Sequence, residues 1–243
     1  MGARHRQQWT TLEQLIRAGH RAELTELEPD LLSSGSFPPA GIGQRSKLLC
    51  TDAGNLLWDP IGYVDQDIAD RVLQFGPVRA IAASHPHMFG AQVEWSRALG
   101  DVEVLVAEED AEWVRRADPV ITTWSGDLVL LPGVTLTQPG GHFSGSAVVH
   151  WEGGAGGRGV LLGSDTIFVN PDRTSVSFMR SFPNRLPLSG AVVDRIVRHV
   201  DRFTFDRLYG NVDDFFGSDA KRAVRDSADR HIRWISGEFD HLT

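Results

Sequence analysis

Three short stretches carry the residues whose types and spacing could do chemistry: Ser84-His85-Pro86-His87-Met88-Phe89-Gly90, Gly140-Gly141-His142 and Gly163-Ser164-Asp165. His85 and His87 flank Pro86 just after an apolar run ending at Ala83, and residues two apart in extended backbone share a face, so both imidazoles can point at one ion. His142 follows two glycines, which let the backbone approach a site without a Cβ clash. Asp165 closes the apolar run Val160-Leu161-Leu162-Gly163. Neutral imidazole with a carboxylate suits Zn²⁺, and the same set accepts Fe²⁺. Fewer than four protein donors leave a position open for water, the arrangement of a catalytic metal site. Any one of these residues alone reads as a loop histidine or a capping aspartate. Four at strand ends favour a metal site.

Placing them requires strands that end at one edge. The apolar patterning predicts a hairpin over Ser46–Thr51 and Asn55–Asp59, then an amphipathic helix over Val64–Phe75. A buried strand over Val78–Ala83 delivers the His85/His87 loop, and a helix follows over Val93–Leu99. Further strands are expected at 102–107, 127–131, 134–138, 147–151, 160–163 and 205–209, with helices at 108–116, 186–199 and 220–235. Residues 1–43 read as a lead-in: a Thr-capped helix around Trp9–Ile16, an acidic patch from Glu23 to Asp30, and a Ser/Gly/Pro-rich loop over Ser33–Gly43. That lead-in would cap the domain or join a homodimer interface. The glycine run Gly153–Gly157 lacks the Lys-Ser/Thr ending of a phosphate loop and reads as a flexible hairpin tip.

The chain has 243 residues, 41% hydrophobic and 23% charged, with a net charge of -8. That balance argues against nucleic acid or an anionic membrane as the main partner, since both favour a basic face. A small-molecule substrate is the remaining expectation. Cys50 is the single cysteine; it sits in an apolar run, forms no internal disulfide and is compatible with a cytoplasmic setting. The basic residues near Met1 precede no apolar run, so no secretory signal is expected.

In this order, His-x-His after a strand, Gly-Gly-His-x-x-Gly-Ser and Gly-x-Asp-Thr resemble the motifs of the metallo-β-lactamase-fold hydrolases. Asn55-Leu56-Leu57-Trp58-Asp59 resembles the strand with a buried Asp that precedes the metal helix there. The resemblance covers roughly residues 44–235. It implies an α/β fold, an αββα sandwich of two mixed β-sheets flanked by helices, for a metal-binding domain over residues 44–243. It further implies His85, His87 and His142 as the first metal site and Asp165 as the bridging or second-site ligand.

The family's motif continues His-x-His-x-Asp-His, whereas this chain has Phe89 and Gly90 at the last two positions. Its final histidine falls where this chain has Asn211. Three second-site donors are therefore missing, which predicts one ion per chain. The expected function is a mononuclear zinc hydrolase of an ester, lactone, thioester or amide. Asp165 would be the general base and Tyr209 a polarising or proton-donating group, with Asp213 and Asp214 as further acidic neighbours. Asp59 would accept the free N–H of a ligand histidine. Arg173 or Arg180 could take a carboxylate or phosphate, and Phe89, Trp95, Phe143, Phe168 and Phe178 could make an apolar cleft. The alternative is a non-hydrolytic or catalytically retired metal-binding member of the same fold.

Overall fold

The computed structural model describes residues 9–212 and 215–243. The chain opens with helix α1 (Leu12–Arg17), whose Thr11 and Gln14 form a reciprocal capping box. A seven-stranded sheet follows, built from β1 (Arg21–Glu28), β2 (Leu31–Phe37), β3 (Ser46–Leu49), β4 (Asn55–Trp58), β5 (Val78–Ala82), β6 (Val104–Ala107) and β7 (Ile121–Trp124), in that spatial order. The first four strands are antiparallel. The pairs from β4 to β7 are parallel, and helices α2 (Gln66–Leu73) and α3 (Gln92–Ala98) make the first two parallel crossovers.

The second sheet contains β8 (Asp127–Leu131), β9 (Val134–Thr137), β10 (Val148–Trp151) and β11 (Val160–Leu162). It is completed by β16 (Arg207–Tyr209) and β17 (Phe215–Phe216), in the order β17-β16-β11-β10-β9-β8. Between β10 and β11 lies a kinked helical turn, α4 (Gly154–Gly157). Two small hairpins, β12 (Phe168–Val169) with β13 (Val176–Ser177) and β14 (Met179–Ser181) with β15 (Leu186–Pro187), lead to helix α5 (Gly190–Val200). Helix α6 (Ala220–Ile235) completes the layers.

Alternation along the strands makes three cores. Leu56, Trp58, Ala82 and Leu105 of the first sheet meet Leu136, Val149 and Leu162 of the second in the interlayer core. Leu57, Ile81 and Val104 face Ile68, Val72 and Trp95 on the outer helices. Val148, Leu161 and Leu208 face Val193, Ile196 and Val224 on the other side. Burying each such side chain contributes roughly 1.5–3 kcal/mol. The expected αββα sandwich of two mixed sheets is observed. No helix among the described residues is long and apolar enough to cross a membrane.

The segment read as a lead-in is different from expectation. After α1 it forms the hairpin β1–β2, and β2 pairs with β3, so residues 21–37 are part of the first sheet. Ser33 and Ser34 are buried within it, and the Ser34 hydroxyl bonds that of Ser46 across the strands. The glycine run is also more constrained than a flexible tip, because the buried Ala155 N–H donates to Glu28 Oε2 at 2.8 Å.

Candidate metal centre

β5 ends where the first two candidate ligands begin. Asp59, just past β4, adopts a left-handed φ of 51°, and its Oδ1 accepts the Ser84 N–H at 2.6 Å. The Ser84 carbonyl in turn accepts Ala147 N–H at 2.8 Å, joining the end of β5 in one sheet to the start of β10 in the other. His85 is extended, and Pro86 opens a single 3-10 turn to Met88, where its missing N–H costs nothing. Met88 is fully buried beneath that turn, while His87 is exposed.

His142 lies in the β9–β10 loop. Gly140 and Gly141 have φ of +67° and +116°, and a Cβ on Gly141 would come within 2.7 Å of Ile196 Cδ1. Beyond the ligand, the Gly145 N–H donates to Asp110 Oδ1 at 2.9 Å, so a buried carboxylate from the 3-10 turn after β6 anchors this loop. Asp165 follows β11 through Ser164 at φ 47°. Its Oδ1 accepts Asn211 Nδ2 at 2.8 Å.

These loops bring four donor atoms within 4.8 Å of one another, from His85, His87, His142 and Asp165. His85 Nε2 lies 3.1 Å from His87 Nδ1, and Asp165 Oδ2 is 3.5 Å from His85 Nε2 and 3.6 Å from His142 Nε2. Ligands at 2.0–2.1 Å around a tetrahedral ion stand about 3.3–3.5 Å apart, so these separations suit one small cation. Hydrogen bonds fix the tautomers. His142 Nδ1–H donates to the Met179 carbonyl at 2.8 Å, leaving Nε2 buried without a partner. Ser84 Oγ lies 2.8 Å from His85 Nδ1 and donates to Ser164 Oγ at 2.8 Å, so it accepts the His85 Nδ1–H and Nε2 presents a lone pair. Two imidazole nitrogens 3.1 Å apart need a proton on one of them or a cation between them. The donor set fits a metal ion.

Although His87 is exposed as a residue, partial desolvation of its ring, reinforced by the charges of His85 and His142, pushes it down to about 4. Burial also lowers His142. Both are neutral and ready to ligate at pH 7. Burial raises Asp165, but hydrogen bonding and charge from His85, with the charge of His142, outweigh it and hold this carboxyl below its ordinary value. Asp59 is fully buried and raised, by desolvation first.

The cluster opens onto a cavity of about 330 Å³ lined by His87, His142, Phe143, Arg180 and Leu186. Arg180 Nη1 donates to the His142 carbonyl at 2.8 Å, and its guanidinium sits 5.6 Å from the Phe143 ring centre. Phe143 packs against all three ligand imidazoles. Phe182 packs on His142 and, from the other side, on Phe168.

The four candidate metal residues and Arg180 are brought together. Tyr209 is not: it points into the interlayer core, where its hydroxyl engages Arg207 and Glu28, and burial pushes it up to about 12. Strand alternation explains this, because Tyr209 shares a face with Arg207, two residues back. Asp59 is one step further out than expected: its Oδ1 accepts the Ser84 N–H, and it is the Ser84 hydroxyl that meets His85 Nδ1. Arg173 sits in the exposed turn between β12 and β13 and lines neither cavity beside the ligands. Trp95 and Phe178 are core residues, and Phe89 lines a separate cavity. Asp213 and Asp214 lie outside the described residues. Asp110 and Trp113 were not foreseen: the first sits in an acidic run that looks solvated, and nothing local marks the second. Asn211 was seen only as a lost donor, yet it holds Asp165.

No protein-family model matches the chain. The fold is that of the DIM-1 metallo-β-lactamase, at a TM-score of 0.65 and 10% identity over 86% of this chain and 98% of that one. FIM-1 from Pseudomonas aeruginosa, solved in a mono-zinc form, superposes at 0.62 with 14% identity, over 87% of this chain and 96% of that one. A B3 metallo-β-lactamase with an active-site glutamic acid gives 0.58 and 17% identity, over 96% of each chain. The uncharacterized protein YmaE of Bacillus subtilis (strain 168) is 39% identical over 237 residues, 97% of this chain and 86% of its own length. On this metallo-β-lactamase fold, with its candidate metal cluster, the 39% identity places the chain in the family of YmaE.

Proposed function

We propose that the chain is a metal-dependent hydrolase that holds one Zn²⁺ and cleaves an ester, lactone, thioester or amide of a small molecule. The observation that carries this reading is the orphaned, tautomer-fixed His142 Nε2, aimed at three further donors at the mouth of a cavity. His85, His87 and His142 would hold the ion, and Asp165 Oδ2 faces the same point. When bound, such an ion polarises a carbonyl oxygen and lowers the pKa of water to about 7. Asp165 supplies the general base: Asn211 clamps Oδ1, so Oδ2 is positioned to accept the proton of the attacking water. Arg180, anchored on the His142 carbonyl, offers positive charge to an oxygen of the substrate. The mono-zinc form of FIM-1 supports a one-ion site on this fold. The same donors suit Fe²⁺.

A second reading, a metal-binding member without hydrolytic activity, draws on the second-site positions Phe89, Gly90 and Asn211. Neither Phe89 nor Gly90 brings a donor, and Asn211 is spent on Asp165. A screen of zinc-loaded protein against activated esters, lactones, thioesters and amides separates the two. The hydrolase reading expects turnover of at least one class, with Asp165→Asn slower by roughly 10²–10⁴-fold at unchanged metal content. No turnover of any class favours the second reading.

A further inference from the structure

A second cavity lies beside the ligands and plays no part in the chemistry above. It encloses about 320 Å³, and Pro86, Phe89, Gly90, Gln92, Trp113 and Arg115 are among its walls. Pro86 and Phe89 bracket the ligand His87 in sequence. The Trp113 ring packs edge-on against Phe143 at 5.5 Å, and Phe143 lies against the three ligand imidazoles. The cavity and the metal cluster are thus separated by a single layer of side chains. A Cβ placed on Gly90 would meet nothing within 4 Å, so the cavity is open there.

Two donors in this cavity lack partners among the described residues. Gln92 is only 3% exposed, yet its side-chain amide makes no hydrogen bond among the described residues. Such a buried amide is uncommon. Oε1 is sealed within the wall, which leaves Nε2 as the end that can meet a ligand acceptor. Arg115 rests its guanidinium 5.9 Å from the Trp113 ring centre and forms no ion pair among the described residues. Its neighbour Arg116 is different, being paired with Glu94 at 2.7 Å. Trp113 and Phe89 supply flat apolar walls of the same cavity.

We propose that this cavity is a substrate subsite for a flat apolar group bearing a carboxylate or phosphate. The ring lies against Trp113 and Phe89, and the anionic oxygens meet Gln92 Nε2 and the Arg115 guanidinium. The assignment rests on the hydrolase reading only in calling the ligand a substrate. A substrate that reacts at the ligands would extend past Phe143 into this space, so the subsite would select for an acidic aromatic portion.

Calorimetric titration of the zinc-loaded protein with phenylacetate, phenyl phosphate and neutral phenylacetamide tests this without turnover. At least one anionic probe should bind about tenfold or more tightly than phenylacetamide, consistent with a charge-assisted contact. Which one does so separates carboxylate from phosphate. Arg115→Met and Gln92→Met should each erode that preference, Arg115→Lys should retain part of it, and Trp113→Ala should weaken all three probes alike. The proposal is overturned if neither anion is preferred, or if the preference survives both Arg115→Met and Gln92→Met. It is also overturned if the preference disappears only with Arg180→Met or with zinc removal, which would put the anion in the other cavity or on the metal. An Arg115-dependent preference in a protein that hydrolyses nothing would leave the subsite standing and retire the hydrolase reading.

Discussion

At the scale of single residues, the centre is a set of hydrogen bonds that decide which nitrogen faces inward. The Met179 carbonyl and the Ser84 hydroxyl each occupy an Nδ1, so His142 and His85 both present Nε2. Partners of this kind typically change metal affinity 10- to 100-fold when removed. Asn211 plays the matching part for Asp165. Asn211→Leu should leave Asp165 Oδ1 buried without a donor, costing about 1–3 kcal/mol of stability. Zinc content should be retained, because three histidines still hold the ion, while turnover of a substrate found by screening should fall; unchanged turnover would mean Asn211 does not position the carboxylate. The histidines also set a pH dependence. His87 is held near 4, and His142, His150 and His199 are likewise lowered, desolvation of the ring being the first cause in each. Their folded-state values lie below the unfolded value of about 6.5, so the unfolded chain takes up protons first on acidification. The stability of metal-stripped protein should therefore be fully present above about pH 6.5 and decline as pH falls toward 4. A thermal midpoint that is flat or rises over this window would contradict the assignment.

At the scale of elements, each ligand hangs on a loop fixed at both ends by buried contacts. The β9–β10 loop shows it best: Gly145 donates to Asp110, and a Cβ there would stand 2.7 Å from Ala107 Cβ and 2.9 Å from Asp110 Cγ. Gly145→Ala should thus cost about 1–3 kcal/mol by overpacking and shift His142, which chemical denaturation and zinc affinity measured together would detect. A stable variant with normal affinity would show that the loop yields freely. The same elements show what sequence could reveal. Strands ending at Ala82 and Leu162 were legible because they are continuous apolar runs, and their ends carry His85 and Asp165. β1 and β2 were not, since their pattern is acidic on one strand and Ser-Ser-Gly-Ser on the other. Ser33 and Ser34 are nevertheless buried, and a Cβ on Gly35 would meet Arg45 Nη1 at 2.6 Å, so close packing rather than hydropathy holds that hairpin. Tyr209 was misplaced because its position near a strand end says nothing about which face it takes.

At the scale of the whole molecule, two sheets and their outer helices form a frame whose edge gathers four donors from three separate loops. A bound ion would stabilise only the folded chain, by about 2.7 kcal/mol at a hundredfold excess over its dissociation constant. Zinc should accordingly raise the thermal midpoint of wild type and leave that of His142→Ala nearly unmoved. The central claim is that this edge holds one ion, and elemental analysis after zinc loading and exhaustive dialysis tests it most directly. One ion per chain is predicted for wild type, with essentially none retained by His142→Ala. Two tightly held ions per wild-type chain, or a wild type that retains no metal at all, would contradict it.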